Sequence, residues 1–320
     1  MNKYFNLILI CNRRVNFKRY PENFLKQIII RKMSSSSPDN KATVMQASDS
    51  WFNKYKNAPE TPEGLFRGVL DRFNGITVDS VMEDCDDEKF ESKLKESLEF
   101  WTKEKRRGIW FKIHLKNSGW VPILAKHEFD FHHAKEGFVM MCRWLPRVDF
   151  NIPPYAHTMV GVGAVVVNDK NQVLVVSENN ALVKNSWKLP GGYLERNENF
   201  IDGGIREVFE ETHIETQYET LIAIRHAHGA GFGCSDLYIV MALKPVSEEI
   251  TKCEREIAKC EWMDIDTYLN HPNVHETNRS FMRSYLNYKK NGVKIICRED
   301  VHQILKKKYN IFEIETSSSK

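Results

Sequence analysis

The 320-residue sequence predicts an α/β protein made of two units. Three observations lead there. Apolar β runs alternate with segments of helical period between residues 65 and 309, the pattern of an α/β or α+β protein. A polar, Ser-rich stretch, 33–50, separates a basic leader from the first ordered segment, which is placed at Trp51. A connector with two successive prolines, PRVDFNIPPYAH, then divides a unit over 51–147 from a larger one over 151–315, because such prolines suit neither helix nor central strand.

In the first unit a strand is expected over Leu65–Phe73, followed by Gly-Ile-Thr-Val-Asp. A helix over Glu88–Lys105 aligns Phe90, Leu94, Leu98 and Trp101 on one stripe. Ile109, Phe111, Ile113 and Leu115 alternate inward against Trp110, Lys112 and His114, and another strand covers Gly137–Leu145. His132 and His133 are neighbours on a strand, so they should point to opposite faces and form no joint site.

The second unit opens on MVGVGAVVVNDKNQVLVVSE, two apolar runs joined at Asn168-Asp169-Lys170-Asn171, a hairpin signal. A loop with Trp187 and Pro190-Gly191-Gly192 leads into a helix over Phe200–Thr212. Strands follow near Glu219–Ala227, Leu237–Leu243 and Trp262, then helices near Arg279–Lys290 and Arg298–Tyr309.

The net charge of +3 is unevenly spread. Residues 1–37 hold eight Lys/Arg and one acid, which leaves the rest net −4 and argues against a general nucleic-acid binder. The leader has the composition of a mitochondrial transit peptide. The alternative is a tail, or an extension upstream of translation from Met33, leaving a cytoplasmic or nuclear protein. Seven cysteines, at 11, 85, 142, 234, 253, 260 and 297, have neither disulfide-framework nor zinc spacing and fit a reducing compartment. No stretch reaches the ~18 apolar residues of a membrane span, so no membrane partner is expected.

Taken as a helix, Phe200–Thr212 buries Ile201, Ile205, Val208, Phe209 and Thr212 and gathers Glu207, Glu210 and Glu211 on a second arc. Gly203 and Gly204 fall among the glutamates, where glycine costs ~1 kcal/mol against alanine, which implies a close approach on that side. Like charges at these spacings repel, and a hard divalent cation such as Mg²⁺ or Mn²⁺ would relieve them. By spacing alone a solvated acidic face remains the commoner reading.

The gapped spacing Gly192, five residues, Glu198, seven residues, then Arg206-Glu207-Val208-Phe209-Glu210-Glu211-Thr212-His213-Ile214 resembles the Nudix box, G-x5-E-x7-R-E-U-x-E-E-x-G-U. The preceding Trp187-Lys188-Leu189-Pro190-Gly191 is similar to the family's lead-in. The resemblance implies a Nudix α/β/α sandwich on a mixed sheet over about 151–315, and hydrolysis of a nucleoside diphosphate linked to another moiety. It implies that Glu207, Glu210 and Glu211 ligate the metal, that Arg206 holds Glu207 by a bidentate contact, and that Glu198 braces the loop. Gly191 and Gly192 would let backbone approach the phosphates. Glu256, ahead of the Trp262 strand, is a candidate base or further metal ligand, or an ordinary loop glutamate. His213 stands where the box has glycine and reads as a strained helix cap. Phe232, Ser235 and Asp236 lie in a glycine-rich loop that either meets a base and ribose or merely connects strands, and Arg225, His226 and His228 just before it are candidates to face the substrate phosphates.

GVLDRFNGITVD, IWFKIHL, FDFHHA, WKLPGG, FGCSDLYIV and CEWMD together resemble the two-domain Nudix branch with a pre-Nudix domain. That branch includes the animal fibroblast-growth-factor antisense protein and plant ADP-ribose/NADH pyrophosphatases. The likeness implies a half-GNAT-like α/β first unit, and no acetyl-CoA loop is seen in 51–147. Because no proline occurs between Gly191 and Lys244, the post-box proline of the ADP-ribose group and the Pro-rich post-box motif of bacterial-type NADH pyrophosphatases are both missing. The expected substrate is ADP-ribose, NADH or a related dinucleotide, cleaved with Mg²⁺ or Mn²⁺ to release AMP. The alternatives are a catalytically weak binding or regulatory module and mRNA decapping through the Lys/Arg cluster NYKKNGVKIICREDVHQILKKKYN. A homo-oligomer is compatible with the sequence.

Overall fold

The apolar stripe of the first unit forms as its period requires. In the computed structural model, which describes Tyr55, Ala58, 61–83 and 85–315, helix α1 spans Asp87–Lys103 and buries Phe90, Leu94, Leu98 and Trp101. The leader read as a transit peptide, the linker up to residue 50, Met33 and Trp51 lie outside the described residues. The described residues divide into two compact units, one ending at Tyr155 and the other starting at Ala156.

In the first unit, α1 packs on a sheet of order β1 (Val69–Leu70), β2 (Ile76–Asp79), β3 (Gly108–His114), β5 (Phe138–Trp144) and β4 (Asp130–Lys135). β2 and β3 run parallel, as a strand–helix–strand crossover demands, and the other pairs are antiparallel. Ile109, Phe111 and Ile113 face the core, and Phe90 stacks on Trp120 of a short helix α2 (Trp120–Lys126) at 4.4 Å between centroids.

Three expectations fail in this unit. Leu65–Phe73 gives only a two-residue strand, because Asp71 Oδ1 accepts from the Phe73 and Gly75 amides and turns the chain there. Leu115 is exposed, since β3 ends at His114. The third concerns His132 and His133, whose rings meet with their Nδ1 atoms 2.8 Å apart. A bulge between Phe131 and His133 breaks the alternation that would have separated them.

In the second unit, β6 (Thr158–Val166) runs parallel to β10 (Ser235–Pro245), flanked by β8 (Gly191–Tyr193) and β9 (Thr216–Ala227) in the order β8-β6-β10-β9. Val162, Ala164 and Val166 face helix α3 (Phe200–Thr212), while Val165, Val240 and Ala242 face α4 (Ile265–Asn270) and α5 (Glu276–Asn291). A mixed sheet therefore lies between helices, an α/β/α sandwich.

β6 and β7 (Gln172–Glu178) share the tight turn at Asn168 but separate into different sheets, β7 pairing with β11 (Ile257–Asp264). The helix expected over Arg298–Tyr309 is instead a hairpin of β12 (Ile295–Val301) and β13 (Lys308–Ile314). Its local signal is weak, and pairing across the turn decides the conformation.

Candidate active site

Helix α3 begins after Asn199 and ends at His213, which takes a left-handed conformation with φ 59°. Its core-facing side is narrower than the period suggests: Val208 and Thr212 are buried, whereas Ile201, Ile205 and Phe209 are half-buried. Gly203 and Gly204 are also buried, and the close approach they permit comes from the protein itself. A Cβ at 203 would strike Leu194, and one at 204 would lie 2.6 Å from the Met241 sulfur. The glycines thus seat the helix on β10 and on the preceding loop, and clear no space for a ligand.

Arg206 organises the outer part of the acidic face. Its guanidinium fork goes to Glu198, with Nε donating at 2.7 Å and Nη2 at 2.8 Å, not to Glu207. Glu207 accepts a single bond of 2.8 Å from Nη1, which also reaches Glu210 at 3.2 Å. One guanidinium therefore gathers three carboxylates, and the neighbouring acids hold it protonated well above its usual range even though burial opposes the charge. Glu198 also accepts the Glu195 amide at 2.9 Å, so it ties the loop to the helix. Gly192 faces Glu207: a Cβ there would lie 2.7 Å from its carboxylate oxygen.

The inner part brings in Lys188 and Glu178, to which the sequence reading gave no role in the site. Glu211 is 4 % exposed and accepts the Gly191 amide at 3.0 Å. Lys188 lies 3.6 Å from Glu211 and 2.5 Å from Glu178 at the end of β7, and donates to Gly191 O at 3.2 Å. The Gly191 amide is therefore spent on Glu211 and does not face an open phosphate site. Burial pushes the Glu211 carboxyl up to about 7, against the pull of Lys188 and the Gly191 amide. Burial also raises Glu207, opposed by Arg206. Lys188 is held protonated by Glu211 and Glu178 in spite of its burial.

Gly191 has φ 152°, and a Cβ there would meet Val162 O and the Tyr238 hydroxyl. The same Tyr238 ring lies against Gly161 and Gly163, where added Cβ atoms would also collide with it. One aromatic ring thus packs where three glycines leave room.

The loop carrying Glu256 is fastened to the end of α3. Thr251 and Cys253 amides donate to Thr212 O and Glu211 O, each at 3.0 Å, and His213 Nδ1 donates to Thr251 O at 2.6 Å. Histidine at the box glycine position thus forms a tether that glycine cannot. Glu256 lies 3.4 Å from Arg255, and its backbone oxygen accepts from Asn179 at the end of β7.

Asp236 is buried and paired with Arg225, whose guanidinium stands over Tyr238, and Ser235 bonds His228 Nδ1 at 2.9 Å. Phe232 is 83 % exposed at the loop tip, in a left-handed conformation. Asp236 is thus engaged within the fold. Beside Arg225 a groove of about 460 Å³ opens between β9 and α5, with Thr277, Ser280 and Ser284 on its helical wall. The sequence reading missed this groove because its two walls are some fifty residues apart.

Glu207, Glu210 and Glu211 present hard oxygen donors, two of them raised by burial, which is the chemistry of a divalent-cation site. Among the described residues no three His, Cys, Asp or Glu side chains already surround one point, since Arg206 and Lys188 hold these carboxylates as counter-ions.

A profile described as NUDIX domain matches residues 157–285, and one described as Nudix hydrolase domain matches 66–145. Nudix hydrolase 2 of Arabidopsis thaliana is 36% identical over 232 residues, covering 72% of this chain and 82% of its own length. Nucleoside diphosphate-linked moiety X motif 6 of Homo sapiens is 38% identical over 207 residues, covering 62% of this chain and 65% of that protein. A solved NUDIX hydrolase from Nitrosomonas europaea aligns at 27% identity and a TM-score of 0.37, over 41% of this chain and 90% of that one.

Proposed function

Since the chain belongs to the Nudix hydrolase family, we propose that this hydrolase cleaves the diphosphate of ADP-ribose, NADH or a related dinucleotide and releases AMP. The observation that carries this reading is the buried Glu211 beside Glu207, tied at once to the Gly191 turn, to Lys188 and to the Glu256 loop.

Glu207, Glu210 and Glu211 would hold a divalent ion, Mg²⁺ or Mn²⁺. Such an ion supplies charge that polarises phosphoryl oxygens and acidifies a bound water. The protein's own part is positional. Arg206 keeps Glu207 and Glu210 on one side of the helix, and Glu198 fixes Arg206 through its fork. Lys188 balances Glu211 in a site where an unpaired carboxylate would be costly. Glu256 is the candidate base, delivered by a loop anchored on α3. The groove beside Arg225 suits the nucleoside, with hydroxyls from Thr277, Ser280 and Ser284 available to a ribose or base edge.

His213 and the missing subfamily prolines motivate the weakly active alternative; of the two, the first is answered, since α3 runs to Thr212 and the left-handed cap is made. The basic cluster behind the decapping alternative is divided between the end of α5 and the β12–β13 hairpin.

The test is incubation of the purified protein with ADP-ribose, NADH and capped RNA in Mg²⁺ or Mn²⁺, beside Glu211→Gln. AMP release from a dinucleotide is expected, with the variant slower by at least about 100-fold, the equivalent of ~3 kcal/mol of lost charge stabilisation. The ion should also raise the melting temperature of the parent and not of the variant. Turnover that survives Glu211→Gln would sink the carboxylate mechanism.

A further inference from the structure

The β12–β13 hairpin lies outside the matched span 157–285 and has no part in the site described above. Its root is fixed: the Tyr218 hydroxyl donates to Ile295 O at 2.8 Å, the Ile295 amide donates to Thr220 Oγ1 at 2.8 Å, and Phe312 stacks on Phe200 at 5.6 Å. Its tip is built as carefully. His302 Nδ1 accepts from the Ile304 and Leu305 amides at 3.3 and 3.1 Å, and the Lys306 amide closes onto His302 O at 2.8 Å.

This turn holds two aliphatic side chains out of the protein, Ile304 84 % and Leu305 62 % exposed, with Val301 and Tyr309 partly exposed at their base. Residues 301–309 contain three lysines and no acid. Lys308 pairs with Glu299 at 2.9 Å, whereas Lys306 and Lys307 make no ion pair among the described residues. A fixed stalk thus carries two exposed aliphatic residues followed directly by two lysines outside any ion pair among the described residues.

We propose that this tip docks on a membrane surface rich in anionic phospholipid. Ile304 and Leu305 enter the boundary between headgroups and acyl chains, and Lys306 and Lys307 meet the lipid phosphates. Charge complementarity selects this occupant. A single-stranded nucleic acid would need stacking aromatics along a basic groove, and the projecting residues here are aliphatic. The contact is peripheral and needs no spanning segment, in keeping with described residues that hold no helix long and apolar enough to cross a bilayer. It departs from the expectation, drawn from the missing span, that no membrane partner exists.

Flotation of the full chain with phosphatidylcholine vesicles, with and without phosphatidylserine, tests the proposal. Binding is expected only with phosphatidylserine, and it should weaken with salt. Lys306→Gln with Lys307→Gln should lower the partition coefficient about 30-fold, at roughly fivefold per lysine. Ile304→Ser with Leu305→Ser should lower it at least about tenfold at unchanged charge. Both double variants should keep the parent's melting temperature, because the replaced side chains are exposed. Equal binding to neutral vesicles, or parental binding by either double variant, would overturn the proposal; so would binding to an RNA oligonucleotide, but not to lipid, that is lost with the lysines.

Discussion

Replacing His213 by glycine restores the residue expected at that position of the box, and the structure sets two opposing consequences. The left-handed backbone at φ 59° costs a residue with a Cβ about 1–2 kcal/mol, which glycine removes. The same change deletes the 2.6 Å bond from Nδ1 to Thr251 O, an exposed contact worth about 0.5–1.5 kcal/mol. His213→Gly should therefore leave α3 within about 1 kcal/mol of the parent. His213→Ala keeps the strained backbone and loses the bond, so it should fall about 1 kcal/mol or more below the glycine variant. Hydrogen exchange followed by mass spectrometry reads both effects, because peptides from α3 and from 247–256 report opening of helix and loop separately. The loop should exchange faster in both variants while the helix slows relative to alanine only in glycine. Equal helix protection in the two variants would refute the strain argument, and an unchanged loop would refute the tether.

Two further outcomes follow from the same geometry. Arg206→Lys preserves the charge but cannot make both fork contacts to Glu198, so a loss of about 2 kcal/mol in urea denaturation is expected, with kcat reduced more than KM is raised. Burial, with a smaller push from Cys297, raises the Tyr218 phenol to about 12. Its folded form therefore stays protonated while the unfolded form ionises above 10, so this group's contribution to stability is lost as pH rises from 10 through 12. Alkaline unfolding curves of Tyr218→Phe should be flatter than the parent's over that interval, and identical curves would contradict it.

The parts of the molecule legible in the sequence were those whose cause is local. The span Phe200–Thr212 follows from the period within one segment, and the structure gives that helix over the same residues. The resemblance of the Gly192–Glu198–Arg206 spacing to the box implied that Glu198 braces the loop, which it does, but through the Arg206 fork that was expected on Glu207. Contacts between distant segments left little trace. Nothing near Lys188 announces that Glu178 and Glu211 converge on it, since the three come from different elements. The purpose of Gly203 and Gly204 was misread because Leu194 and Met241 could not be placed beside them by period alone. In the hairpin, Tyr309, Ile311 and Phe312 offered some strand character, but the charged residues of 298–308 masked it, and only the pairing of Cys297 with Phe312 and Val301 with Lys308 fixes the register.

The ring of Tyr238 couples the mutational fates of positions 161, 163 and 238. At 163 the atoms nearest an added Cβ all belong to that ring, so alanine there is damaging while tyrosine remains and gains room once a smaller residue has replaced it; at 161 the ring is the nearest obstacle, but Gly192 O at 3.2 Å stays close after the ring is gone. At 191 the clash with Val162 O persists whatever occupies 238, and glycine stays obligatory. Gly163 thus gains room to vary after a prior loss at 238, and Gly161 does so in part, whereas Gly191 has no permissive route, so a pairwise substitution library would read positive epistasis with 238 at the first two positions and none at the third.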